Sequence, residues 1–370
     1  MNFISSFIHR RIGHRPNLVK IVHNISWLFF DKILRVGMGF FVGVWIVRYL
    51  GPEQFGLLSF AAAFVGLFGA FASLGLQGIV VRDIVRNLDC APETLGVTAI
   101  LQLIGGIAAY LIVLVAIAYL RPDDSIARSI VAILGSTMLL KVSEISVYWF
   151  ESKVLSKYTV WVQNGVFLVF ATVKVILILQ QASLIAFVWT MLAEAVVVAI
   201  ILLGVMNKYG LLLTKLRVST KRAKLLLKDS WPLLLSGIAV TIYMKIDKIM
   251  LGHMIGDEAV GVYSVALLIS ELWYFIPMVI VASTFPAIIE SKKRSEKQYY
   301  ARLQKLFDLM VVISVGLALP TTFLSTSIVT LLFGEAYRDA GIILSIHIWA
   351  AVFVFLGVAS SQWFIAEGRQ

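Results

Sequence analysis

Charge is scarce in this chain, and cysteine scarcer. Only 14% of the 370 residues are Asp, Glu, Lys or Arg, against about 25% in soluble domains. Apolar residues make up 60%, where roughly 45–50% is usual, and the mean hydropathy is +0.91. A soluble fold could not cover that much apolar surface, so the composition excludes a cytosolic enzyme, a secreted scaffold and a disordered chain. The single cysteine, Cys90, rules out an intramolecular disulfide, and no Cys/His cluster has metal-ligand spacing. No GxxxxGK[ST] loop, HExxH pair or nucleophile elbow is present, so the usual marks of nucleotide-driven pumping and of hydrolysis are absent. No cofactor, metal or catalytic residue is expected. Work must then come from an ion gradient or from the substrate's own gradient.

Acidic residues are also few, 21 against 32 basic ones. In a soluble protein that excess would suggest nucleic acid. In a bilayer it means basic cytoplasmic loops and basic groups buried where an anion passes, so no nucleic-acid partner is expected. Arg10, Arg11, Arg15 and Lys20 break up residues 1–23, and the first apolar stretch is expected to stay as an anchor rather than be cleaved.

What is abundant is long apolar runs. A span needs about 20 such residues, and ten segments qualify: 24–49, 57–81, 96–119, 127–150, 159–180, 184–206, 231–252, 262–288, 307–332 and 341–365. The fifth and sixth form a hairpin at Gln180 and Gln181. Lys and Arg concentrate on alternate loops, above all 207–230 and 289–306, whereas the opposite loops hold only Arg121, Arg128 and Arg338. Both the N-terminus and residue 370 are therefore expected in the cytoplasm. The 207–230 stretch, basic with interspersed leucines, reads as an amphipathic linker on an anionic leaflet, a regulatory or partner-binding role being the alternative.

A weak echo runs through the chain. Residues 49–59 (YLGPEQFGLLS) align with 254–264 (MIGDEAVGVYS), matching two glycines, a glutamate and a serine, and Ser26-Trp27 returns as Ser230-Trp231. Six helices separate the copies, so the repeats are parallel. The expected fold is an all-α polytopic membrane protein of two six-helix repeats. It divides into a bundle at 1–206, a linker at 207–230 and a second bundle at 231–370, apparently cut after its fourth helix. Relative to a 6+6 design, two helices, about 40–60 residues, are lacking.

The stretches 230–237 (SWPLLLSG), 244–252 (MKIDKIMLG) and 255–263 (IGDEAVGVY), with 50–56 (LGPEQFG) after span one, resemble the oligosaccharide flippase family, the O-antigen type polysaccharide repeat-unit translocases of the multidrug/oligosaccharidyl-lipid/polysaccharide exporter superfamily. The resemblance runs along essentially the whole chain and is most specific between spans seven and eight. Family members usually have twelve or more helices. The resemblance implies an inner-membrane flippase that moves polyprenyl-pyrophosphate-linked oligosaccharide from the cytoplasmic to the periplasmic side for O-antigen, lipopolysaccharide or polysaccharide biosynthesis. Membrane lipids, and a polysaccharide polymerase with chain-length proteins, would be its partners.

Charges inside the spans carry the candidate site. A charge at mid-span costs about 2.5–3.5 kcal/mol on insertion, so each must pair, snorkel or line a wet cavity. Asp31 and Arg35 are i,i+4 neighbours in span one, beside Lys32; Lys141 and Glu144 are i,i+3 in span four. Lys174, Glu194 and Glu271 stand alone in spans five, six and eight, as interhelical pairs or cavity-lining charges. In span seven Lys245 and Lys248 are like-charged at i,i+3, with Asp247 on another face, and that pair wants an anion. Lys32, Arg35, Lys141, Lys174, Lys245 and Lys248 are the expected substrate-binding residues of a cationic cavity. Asp31, Glu144, Glu194, Asp247 and Glu271 are the expected ion-coupling or cavity-pairing residues. Two rival readings are a cation-coupled multidrug exporter of the same superfamily, whose cavity should be acidic, and a non-transporting scaffold of a polysaccharide assembly complex.

Overall fold

The computed structural model describes the backbone over residues 16–367 and the side chains from Gly37 onward, apart from 286, 287, 293, 362, 365 and 366. Among the described residues every regular element is helical, as lipid demands of a chain whose backbone must satisfy itself. The α-helices are α1 (Pro16–Ser73), α2 (Leu76–Arg86), α3 (Ala91–Leu120), α4 (Ser125–Gly135), α5 (Glu144–Ser152), α6 (Lys157–Leu179), α7 (Leu184–Tyr209), α8 (Thr220–Met254), α9 (Asp257–Ser270), α10 (Phe275–Arg294), α11 (Glu296–Phe333), α12 (Ala340–His347) and α13 (Ala350–Glu367).

Nine stretches among the described residues are long and apolar enough to cross a bilayer, against the ten expected. The difference lies at the start. Gly37–Arg86 is one helical run of 50 residues, about 75 Å at 1.5 Å per residue, more than twice the roughly 30 Å of hydrocarbon. It is broken at Gly51, whose φ of 72° interrupts α1, and it holds the described part of expected span one and all of span two. The protein is a multi-pass membrane protein.

Several expected spans are not continuous α-helix. Span four is α4, a 3₁₀ turn at Ser136–Ser143, then α5; span eight is α9, a 3₁₀ turn at Glu271–Tyr274, then α10; span ten breaks between α12 and α13. In span four the cause is local. The hydroxyls of Ser136, Thr137 and Ser143 donate to the carbonyls of Ile133, Leu134 and Leu140 at 2.6, 2.6 and 2.8 Å, competing with the α-helical ladder for its acceptors.

The chain forms two compact units. One takes in the described residues up to Tyr49 together with Leu57–Gly256; the other takes in Leu50–Gly56 and the described residues from Asp257 onward. In the first, Leu76, Val80, Ile84, Leu95, Ile145 and Phe150 form the centre of a dry core. The 207–230 stretch is fastened to this unit. Arg217 N–H donates to the Pro92 carbonyl at 3.1 Å, Arg222 reaches Asp83 at 2.8 Å and Thr94 at 2.9 Å, and Arg82 reaches Asp229 at 2.7 Å. From Thr220 the stretch is already α8, so 220–230 is continuous with span seven. Arg121, counted in the sequence as a periplasmic loop charge, is 10% exposed at its side chain. It lies 3.9 Å over the Phe60 ring and donates to the Gly252 carbonyl at 2.7 Å, satisfying a carbonyl in the last turn of α8.

The second unit packs α9, α11, α12 and α13, with α10 against α11 and α13. Its core is built on Val281, Tyr299, Met310, Ala351 and Phe355. Two glycines of the echoed motif meet here: a Cβ on Gly56 would strike the Asp257 carbonyl, and one on Gly261 would strike the Pro52 carbonyl. Gly51 and Gly256, also equivalent in that motif, both have positive φ, which glycine adopts without penalty.

Candidate functional site

The first unit contains a polar cavity of about 570 Å³, walled by α2, the broken span four, α6 and α7, within the size range of small-molecule sites. Four of the charges singled out in the sequence line it: Lys141, Glu144, Lys174 and Glu194. Span four places two of them. Lys141 lies in the 3₁₀ turn and Glu144 opens α5, and Lys141 Nζ donates to Glu144 Oε1 at 2.6 Å. The other carboxylate oxygen accepts from the Tyr148 hydroxyl at 2.9 Å, and that hydroxyl accepts from Gln102 Nε2 at 3.0 Å. The α6–α7 hairpin places the second pair, Lys174 Nζ donating to Glu194 Oε2 at 2.7 Å. That pair lies deeper, with side chains 16% and 22% exposed against 36% and 30% for Lys141 and Glu144.

Gln77, Gln163 and Thr137 complete the polar wall, and Val147, Met191 and Val198 belong to its apolar part. Sequence reasoning missed the two glutamines. Neither is part of a charge pattern within a span, and the packing of α2 and α6 brings them in. Gln77 also donates to Glu151 Oε2 at 3.1 Å.

The remaining predicted residues are elsewhere. Lys245, Asp247 and Lys248 are half-buried on α8 and do not line this cavity, and Asp247 Oδ1 accepts from the Lys248 backbone N–H at 2.7 Å. Glu271 opens the 3₁₀ turn after α9, is exposed, and makes no ion pair among the described residues. The side chains of Asp31, Lys32 and Arg35 lie outside the described residues.

The charges that line this cavity balance. Each ammonium is already held by a carboxylate, so the four charged groups sum to zero. At about 4 Å and an effective dielectric near 20, one like-charge contact costs about 4 kcal/mol. A diphosphate entering this space would meet Glu144 and Glu194, and a cationic ligand would meet Lys141 and Lys174.

A family model described as "Polysaccharide biosynthesis protein" matches residues 21–292. The chain belongs to that family. A second model, MatE, matches residues 232–370 of this family member. This chain is 24% identical to a curated protein of Haloferax volcanii named "Probable low-salt glycan biosynthesis flippase Agl15", over 86% of this chain and 66% of the relative. It is 22% identical to "Probable flippase AglR" of the same organism, over 90% of this chain and 69% of the relative. The chain thus spans about two thirds of the length of the curated relatives it matches.

Among solved structures, it superimposes on a multidrug resistance MATE family transporter of the MOP superfamily in an inward-facing conformation. The TM-score is 0.72 and the identity 16%, over 94% of this chain and 85% of the other. It also matches a MATE in complex with MaL6, with a TM-score of 0.58 and 17% identity, over 95% of this chain and 83% of the other. The chain therefore has the fold of the MATE transporters.

Proposed function

We propose that the protein is a flippase for lipid-linked glycans, acting in the inner membrane with both chain ends cytoplasmic. Its cargo is polyprenyl-pyrophosphate-linked oligosaccharide, delivered from the cytoplasmic to the periplasmic side for O-antigen or related polysaccharide assembly beside a polymerase and chain-length proteins. Movement is a rocking of two parallel helical repeats, with no chemical step. The observation that carries this reading is the pair of ion pairs lining a polar cavity in an otherwise apolar bundle of a polysaccharide-biosynthesis family member. Membrane charges are retained at such cost where a polar cargo or an ion must be handled.

The diphosphate, with several negative charges, is assigned to the basic residues of span one, Lys32 and Arg35, and of span seven, Lys245 and Lys248. Arg35 can grip phosphate with a planar fork that lysine lacks. Asp31, Asp247 and Glu271, with Glu144 and Glu194, are the carboxylates available for ion coupling. The likeness in fold to MATE transporters supports a second reading, a cation-coupled drug exporter, but the charge-balanced cavity gives a cation no net attraction.

The test is complementation of a strain lacking its polysaccharide flippase, together with delivery of lipid-linked glycan by the purified chain in liposomes. Glycan delivery that Arg35→Ala and Lys245→Ala reduce at least tenfold at unchanged protein level is expected, with Arg35→Lys keeping partial function. Export of cationic dyes without any glycan delivery would replace the flippase reading with the exporter. Parental rates in both alanine variants would make those charges structural.

A further inference from the structure

The balanced cavity in the first unit has a chemistry of its own. After the two ion pairs form, each lysine ammonium, with three donors in all, retains hydrogens to give, and each carboxylate retains lone pairs to accept. Lys141, Glu144, Lys174 and Glu194 thus bring both donors and acceptors to one space, and Gln77 and Gln163 add amides, a group that can do both. Val147, Met191 and Val198 supply apolar wall between them.

A diphosphate only accepts hydrogen bonds, and the charged centre of an organic cation accepts none. A sugar hydroxyl does both, while the C–H faces of a sugar ring are apolar. Of the three, only the sugar uses every part of this wall without separating a lysine from its glutamate. The pairs also hold the four side chains in fixed directions, so donors and acceptors are ordered before the ligand arrives.

We infer that this cavity is a recognition site for the uncharged glycan portion of the cargo, separate from the residues that hold the diphosphate. The inference rests on the flippase reading above and assigns Lys141 and Lys174 to sugar hydroxyls instead of phosphate. Specificity then comes from which hydroxyls match the spacing of the two pairs, with Gln77 and Gln163 reading neighbouring positions.

The experiment uses the full chain in nanodiscs. The probe is the water-soluble oligosaccharide released by mild acid from the host's lipid-linked glycans, freed of phosphate, radiolabelled, and measured by equilibrium dialysis. Binding to the parental chain is expected to be insensitive to salt and to added inorganic pyrophosphate. Gln163→Ala and the double variant Lys174→Gln with Glu194→Gln, whose amides can still bond each other, are expected to weaken it at least tenfold. Lys224→Gln, exposed on α8 and outside the cavity lining, should leave it unchanged. Thermal unfolding and gel filtration establish that each variant is folded.

Failure of the parental chain to bind the glycan, its displacement by pyrophosphate, or parental affinity in the folded cavity variants would each overturn the inference. Lipid-linked glycan delivery by the parental chain, measured in parallel, separates the outcomes. Delivery without cavity binding sinks only this assignment, and no delivery sinks the flippase reading itself.

Discussion

The two units solve the same problem, a polar break inside a span, with different chemistry. In the first, the break in span four supplies Lys141 and Glu144 and faces a cavity that also holds Lys174 and Glu194. In the second, the Ser270 hydroxyl, fully buried just before the 3₁₀ turn, pairs with His347 Nδ1 at 2.7 Å where α12 ends. Nearby, Trp349 Nε1 donates to Thr322 Oγ1 at 3.1 Å. One unit spends formal charges at its breaks and the other mostly neutral hydroxyl, imidazole and indole groups. The paired formal charges at span breaks are thus concentrated in the first unit.

The largest effect should come from stranding a charge in the first unit. Glu194→Ala leaves Lys174 low in exposure and without its carboxylate, at a cost of about 3 kcal/mol, read as a marked loss of thermal stability in detergent. The charge-exchanged double variant Lys174→Glu with Glu194→Lys should recover more than half of it. If Glu194→Ala melts with the parent, the pair contributes nothing to folding and the contrast between the units fails.

Breaking the neutral pair of the second unit should matter less. Ser270→Ala removes one hydrogen bond between helices, worth about 0.6 kcal/mol in membrane proteins, a small shift in the same melt. A loss as large as that of Glu194→Ala would make the two breaks energetically alike. The smallest effect is expected at Glu271, exposed and without an ion pair among the described residues. Glu271→Gln should change stability by under about 0.5 kcal/mol. A change in glycan delivery with unchanged stability would mark Glu271 as the ion-coupling carboxylate and give the second unit a charge with work to do.

Much of this was legible in residue order. Apolar runs of span length gave the helical, multi-pass architecture, because lipid leaves the backbone few alternatives. The Lys141–Glu144 pair was legible because an i,i+3 spacing brings long side chains together in a 3₁₀ turn as well as in an α-helix. Lys174 and Glu194 were legible as costly residues but not as each other's partner. The tight hairpin made them neighbours, while the facing sides of α6 and α7 depended on packing. Arg121 was misread. Nothing near it in sequence signals Phe60 or Gly252, the groups that bury it. The breaks inside spans four and eight were missed because hydropathy does not register Ser and Thr hydroxyls bonding to the carbonyls of the preceding turn.

The backbone contact at Gly56 also sets a timetable. Residues 50–56 pack with helices that begin at Asp257, roughly 200 residues later in the chain. At about 5–20 residues per second the ribosome needs about 10–40 s to make that stretch. Throughout that interval the segment Gly51–Gly56 is without the helix it is shaped to meet, and the second unit cannot close. Any factor that shields nascent membrane helices would find a long-waiting client there.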